Sequence, residues 1–239
     1  MMPPVAILAG GLATRLRPIT HRVPKSMLEV AGEPFIAHQL RLLGRKGIRK
    51  VVLCLSFLGE QVQEFVGDGT RFGLQVEYSF DGDVLLGTGG ALRKATPLLG
   101  DTFWVTYGDS YLDIDYEPIF AHFSTVKAPA LMTVYLNENR FDGSNVLFQE
   151  GRILRYRKGT VTPDMRHIDF GLLLLRRATV DVIPCAQKVD LSDFLGQLVD
   201  QGDLAGFETQ NRFYEIGSPS GLAETSAYIL STTPTPGNH

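Results

Sequence analysis

Arg15, Arg17 and Lys25 stand close to Gly10 and Gly11, in the stretch LAGGLATRLRP (8–18) and the downstream VPKSM (23–27). Those residue types at that spacing suit the binding of a polyanion such as a triphosphate. Adjacent glycines carry no side chain and take up positive φ freely, so backbone N–H groups can turn inward and approach a phosphate closely. Arg15 can clamp the anion, while Lys25, set behind Pro24, offers a mobile point charge to a second phosphate. A Gly-Gly pair after a strand also serves as an ordinary tight turn, and arginines beside it as solvated surface, a reading these residues alone leave open. Neither GxGxxG nor GxxxxGKS/T occurs at this loop, which disfavours a dinucleotide-binding or P-loop site.

Two further segments carry chemistry. Thr106-Tyr107-Gly108-Asp109-Ser110 closes an apolar run, which places Asp109 at the carboxyl end of a strand, where open α/β sheets bind their ligands. An aspartate there can hold Mg²⁺, which takes one or two carboxylates together with phosphate oxygens and water. Asp113, Asp115, Asp169 and Glu215 are candidates for a second acid; a turn aspartate is the alternative for Asp109 itself. Gly87-Thr88-Gly89-Gly90-Ala91-Leu92 demands close approach of something to its backbone, a nucleobase edge or merely solvent, and Thr88 is expected to cap the helix that follows.

The elements that position these residues read as α/β. Residues 5–9, 51–55, 75–79 and 103–107 form strand-like apolar runs, and between them Ile36, Leu40 and Leu43, then Leu58, Val62, Phe65 and Val66, recur at helical spacing. Gly47 and Gly67-Asp68-Gly69 end those helices. This alternation predicts a parallel sheet with covering helices. Residues 130–136, 145–149, 152–157 and 167–175 are joined by short turns and predict an antiparallel or mixed layer, with Glu150-Gly151 as a hairpin turn. Leu191, Phe194, Leu195, Leu198 and Val199 give a helical stripe capped by Asp190. The expected domain is 1–230, with a nucleotide-binding half at about 1–128 and a lid carrying the second substrate's contacts at about 129–230. The polar, proline-rich 231–239 is expected to be a disordered tail.

Composition narrows the classes. The 239 residues are 44% hydrophobic and 21% charged with a net charge of −3, so no global basic field invites nucleic acid. No apolar run reaches the length of a membrane span, and the N-terminus lacks the features of a secretory signal. Cys54 and Cys185 lie far apart without metal-ligand spacing, so both are expected to be reduced and the compartment cytoplasmic. The histidines show no ligand pairing, and self-association into a homo-oligomer stays open.

LAGGxxTRLxP with VPKSM, then GTGGAL, then GDS, and finally Tyr214-Glu215-Ile216-Gly217-Ser218-Pro219, in that order over roughly residues 5–230, resemble the sugar-1-phosphate nucleotidyltransferases, in particular short guanylyltransferases and uridylyltransferases. The resemblance implies a Rossmann-like mixed, mainly parallel sheet flanked by helices, as in nucleotide-diphospho-sugar transferases. It implies that NTP and a sugar 1-phosphate give NDP-sugar and pyrophosphate. Leu8, Ala9, Gly10 and Gly11 would cradle the nucleotide, Gly87, Thr88, Gly89 and Gly90 would read the base, and Arg15 and Lys25 would neutralise phosphates. Asp109 would hold Mg²⁺, with Glu215 where most members carry the second aspartate. Lys158 matches the lysine used on the sugar phosphate, and Gly171, with Asp169 beside it, a segment lining the sugar site.

The implied chemistry is direct in-line attack by an already anionic phosphate oxygen, with neither general base nor covalent intermediate. The implied nucleotide leans to GTP, with UTP and a hexose or amino-sugar 1-phosphate as the alternative. A non-catalytic sensing module of the same fold, and a cytidylyltransferase for a non-sugar phosphate, are the rival readings.

Overall fold

The computed structural model describes residues 2–11, 21–159 and 162–232; Arg15, Arg17 and the 233–239 portion of the expected tail lie outside them. In chain order the strands are β1 (Val5–Leu8), β2 (Glu29–Val30), β3 (Glu33–Pro34), β4 (Lys50–Leu55), β5 (Gln75–Phe80), β6 (Thr102–Tyr107), β7 (Ser110–Tyr111), β8 (Ala130–Leu136), β9 (Val146–Gln149), β10 (Arg152–Tyr156), β11 (His167–Arg176), β12 (Leu204–Thr209) and β13 (Tyr214–Glu215). The helices are α1 (Phe35–Arg45), α2 (Gly59–Val66), α3 (Gly87–Ala95), α4 (Tyr116–Thr125), α5 (Arg177–Val180), α6 (Leu191–Gln201) and α7 (Pro219–Thr232).

Nine strands form one sheet in the order β5-β4-β1-β6-β11-β8-β12-β10-β9. β5, β4, β1 and β6 run parallel, and β11 then pairs antiparallel with both β6 and β8. The mixed sheet expected from the sequence is therefore present. Its later strands extend the same sheet, with β11 paired directly with β6.

Both faces of the sheet are covered, which is why β1 is apolar at every position. Ala6 and Leu8 pack with Leu92, Ala95 and Leu195 on one side. Val5 and Ile7 pack with Ile36, Leu40, Val62 and Ile119 on the other. Each buried Val, Leu or Ile among them contributes about 1.5–3 kcal/mol. A smaller cluster of Leu28, Phe35, Tyr111, Ile216 and Ile229 joins α1 and α7 to the short strands around the site.

Several local signals operate as the residues suggest. Gly47 and Gly67 stop their helices at φ +85° and +63°. Glu150 and Gly151 both take positive φ between β9 and β10, as a two-residue hairpin of the primed type requires. Asp190 caps α6 by accepting the Ser192 N–H at 2.9 Å. The described helices include none long and apolar enough to cross a membrane.

Candidate functional site

The exits of β1 and β6 form the floor of the site. Ala9 N–H donates to Cys54 O and Gly108 N–H to Leu8 O, both at 2.9 Å, so the chain leaves the two strands side by side. A Cβ on Gly108 would stand 2.6 Å from the Ala9 Cβ; only glycine lets the β6 exit cross so close and deliver Asp109. Gly10 is needed for space as well, since a Cβ there would meet Ser56 Oγ at 2.9 Å. Neither Gly10 nor Gly11 uses its freedom to take positive φ, and the Ser56 hydroxyl donates to Gly10 O at 2.5 Å.

A cavity of about 440 Å³ opens over this floor, bordered by residues 8–11, Lys25, Asp81, Thr88, Asp109 and Lys188. Lys25 starts a single 3-10 turn behind Pro24, and its Nζ lies 2.5 Å from Asp109 Oδ2. Asp81 accepts the Leu86 N–H at 3.1 Å. Burial pushes the Asp81 carboxyl above its ordinary range, opposed by that N–H and by Lys94. Burial, with the Asp81 charge, pushes the neighbouring Cys54 thiol up to about 12, so it lines the cavity as an apolar group.

Asp109 and Glu215 are brought together by a two-residue ladder. β13 pairs with β7 so that Glu215 stands opposite Ser110, and the Ile216 N–H donates to Asp109 O at 3.0 Å. α7 is seated on this ladder. Thr225 Oγ1 donates to Glu215 O at 2.9 Å, and the Tyr228 and Tyr214 rings stack with centroids 4.0 Å apart. The Glu215 carboxylate folds over Gly217, where a Cβ would meet its Oε2 at 2.9 Å. Among the described residues no group of three or more His, Cys, Asp or Glu could hold a metal. Two carboxylates on adjoining backbone, both bordering the cavity that extends to Lys158, are nonetheless the donor set Mg²⁺ takes when phosphate and water complete its shell. The residues present fit that ion.

A second cavity, of about 710 Å³, shares Tyr107 and Asp109 with the first and extends to Lys158, Asp169, Gly171 and Glu215. Its wall is made by a bulge in β11. Between the pairs Asp169↔Val134 and Leu173↔Met132, β11 advances four residues while β8 advances two, and Gly171 takes up the excess at φ +88°. Asp169 Oδ1 accepts the Gly171 N–H at 2.9 Å, Oδ2 accepts the Tyr156 hydroxyl at 3.3 Å, and the Asp169 N–H donates to Asn145 Oδ1 at 2.9 Å. Burial pushes the Asp169 carboxyl up, with the Gly171 N–H, the Tyr156 hydroxyl and Lys158 opposing. Burial and then the Asp169 charge push the Tyr156 phenol far up, so it stays a neutral donor. Lys158 is mostly exposed, its Nζ 3.9 Å from Asp190 Oδ2.

The 87–90 segment differs from expectation. Thr88 does not cap its own helix; its Oγ1 accepts the Leu191 N–H at 2.8 Å and so caps α6, because the chain at 187–191 packs across the start of α3. Gly89 and Gly90 are buried against that chain and are absent from the cavity wall, which Gly87 and Thr88 do reach. Sequence reasoning also passed over Asp81, Lys188 and Gln39. Gln39, a polar residue on the buried stripe of α1, donates from Nε2 to Tyr107 O and Ser110 O, both at 2.8 Å, and so holds the backbone on either side of Asp109. A buried polar residue amid apolar spacing was the available signal.

Residues 5–142 match the family model described as nucleotidyl transferase. The chain is 30% identical over 213 residues to a UTP–glucose-1-phosphate uridylyltransferase of Synechocystis, covering 82% of this chain and 55% of that one. It is 31% identical over 229 residues to a mannose-1-phosphate guanylyltransferase of Mycobacterium tuberculosis, covering 94% and 64%. The chain thus spans under two thirds of the length of these relatives. In fold it is similar to HddC from Yersinia pseudotuberculosis, with a TM-score of 0.83 at 23% identity over 95% of this chain and all of that one.

Proposed function

The chain belongs to the nucleotidyl transferase family, and on that premise we propose that it transfers a nucleoside monophosphate from an NTP to a sugar 1-phosphate, releasing pyrophosphate. One observation carries the reading: Tyr107 and Asp109 line both cavities, so a nucleotide in the first and a phosphorylated sugar in the second would meet at Asp109. A phosphate oxygen of the sugar 1-phosphate forms the new bond to the α-phosphorus. The bond from the α-phosphorus to the bridging oxygen breaks, and pyrophosphate leaves with the electron pair. The nucleophile is anionic at neutral pH, so the protein's task is alignment and charge neutralisation.

Lys25 neutralises the phosphates of the nucleotide, a task the sequence assigns to Arg15 as well, and Lys158 positions the attacking phosphate. Asp169 and Gly171 shape the sugar wall. Asp109 and Glu215 would hold Mg²⁺, which would supply Lewis-acid charge to the reacting phosphates. GTP is the favoured nucleotide. The Asp81 carboxylate on the first cavity is acceptor-only when ionised, which suits the paired N1–H and N2–H donors of guanine; uracil offers one donor between two carbonyl acceptors.

Pyrophosphate release measured with each NTP against a panel of sugar 1-phosphates tests this. Turnover is expected with at least one sugar 1-phosphate, fastest with GTP. Tight NTP binding without turnover on any pair would make the chain a sensing module, and strict CTP use with a non-sugar phosphate would overturn the sugar assignment.

A further inference from the structure

We propose that Lys188 is a binding residue for the phosphates of the nucleotide, carried onto the cavity wall by a backbone segment for which the glycines at 87–90 make room. The inference rests on the reading of the first cavity as a nucleotide site.

The segment around Lys188 is fixed on α3 by main-chain bonds. Val189 N–H donates to Leu86 O at 2.9 Å, and the Gly89 and Gly90 N–H groups donate to Val189 O at 2.8 and 3.3 Å. A Cβ on Gly87 would stand 2.6 Å from Val189 O, and one on Gly90 would run into Gln187 O. Residues on both sides of Lys188 are therefore placed by contacts that only glycine permits, and Lys188 itself borders the first cavity together with Gly87 and Thr88.

That docking takes up two of the N–H groups at the start of α3. The start of a helix ordinarily offers free N–H groups to an anion; here those of Gly89 and Gly90 are spent on Val189. The described cations on this cavity are Lys25 and Lys188. Lys25 already meets Asp109 at 2.5 Å, whereas Lys188 makes no ion pair with any described residue. Its sequence neighbour Asp190 is engaged elsewhere, with Oδ1 accepting from Ser192 at 2.9 Å and Oδ2 lying 3.9 Å from Lys158. An unpaired ammonium on a flexible stem, at the edge of a cavity built for a polyanion, is placed to answer phosphate charge.

Calorimetric titration of wild type, Lys188→Met and Lys188→Arg with each NTP and the corresponding nucleosides tests this. Lys188 is exposed, so the substitutions leave the fold intact, as thermal melting would verify. Lys188→Met is expected to weaken binding of the preferred triphosphate about tenfold and to leave its nucleoside within about twofold, the worth of one charge-assisted contact. Lys188→Arg should recover most of the loss. Unchanged triphosphate affinity in Lys188→Met, or an equal loss with the nucleoside, overturns the proposal while leaving the nucleotide site standing. Failure of the wild type to bind any NTP overturns both.

Discussion

Lys25 Nζ and Asp109 Oδ2 meet at 2.5 Å although 84 residues separate them in the chain. The lysine comes from a turn behind Pro24 and the aspartate from the exit of β6, so the contact closes the site between two independent loops. Each group satisfies the other, which aims both side chains at the same point.

Asp109→Asn keeps the size of the side chain and removes its charge. Steady-state pyrophosphate release with saturating substrates should fall at least about a hundredfold, the scale for loss of a principal electrostatic element of a transfer site. The melting temperature should stay within a few degrees of wild type. Turnover near the wild-type rate would remove Asp109 from the reacting centre.

Lys158 borders the second cavity and is mostly exposed, so its truncation should not disturb packing. Lys158→Ala is expected to raise KM for the sugar 1-phosphate about tenfold with KM for the NTP unchanged. An effect confined to the NTP would reassign this lysine to the nucleotide.

Asp169 couples the second cavity to pH. Burial holds its carboxyl above the ordinary range, so the folded chain keeps a proton that the unfolded chain gives up more readily. Below the unfolded value, roughly pH 3.9, both states are protonated and ionisation costs nothing. As pH rises through that value toward the raised native one, the unfolded state gains by ionising first and native stability falls. Asp169→Asn has the same shape without the charge. It should therefore melt at a higher temperature than wild type at pH 7, with the difference vanishing near pH 4. The same offset at both pH values would show that the effect is one of packing and not of charge.

The parallel half of the sheet was legible in the sequence because β1, β4, β5 and β6 are buried runs with helical stripes between them and glycine stops at Gly47 and Gly67. Such signals are local. β12 passed unnoticed, since Leu204–Thr209 is mixed in character and owes its strand conformation to β8 beside it. The meeting of Asp109 with Glu215 could not be read either, because the β7–β13 ladder is two residues long and has no periodicity to detect. The glycines of GTGGAL announced a close approach correctly in kind. What approaches Gly89 and Gly90 is the carbonyl of Val189, and nothing in the motif names a partner that far along the chain.

The place of β11 between β6 and β8 has a consequence for synthesis. As the chain emerges from the ribosome, β5, β4, β1 and β6 can pair as soon as residue 107 is free, yet the outer edge of β6 must wait for β11. During that interval Phe103, Trp104 and Val105, all fully buried at the end, belong to an open strand edge able to recruit a neighbouring nascent chain. The strand that gives the second cavity its bulged wall is thus also the one that closes this edge.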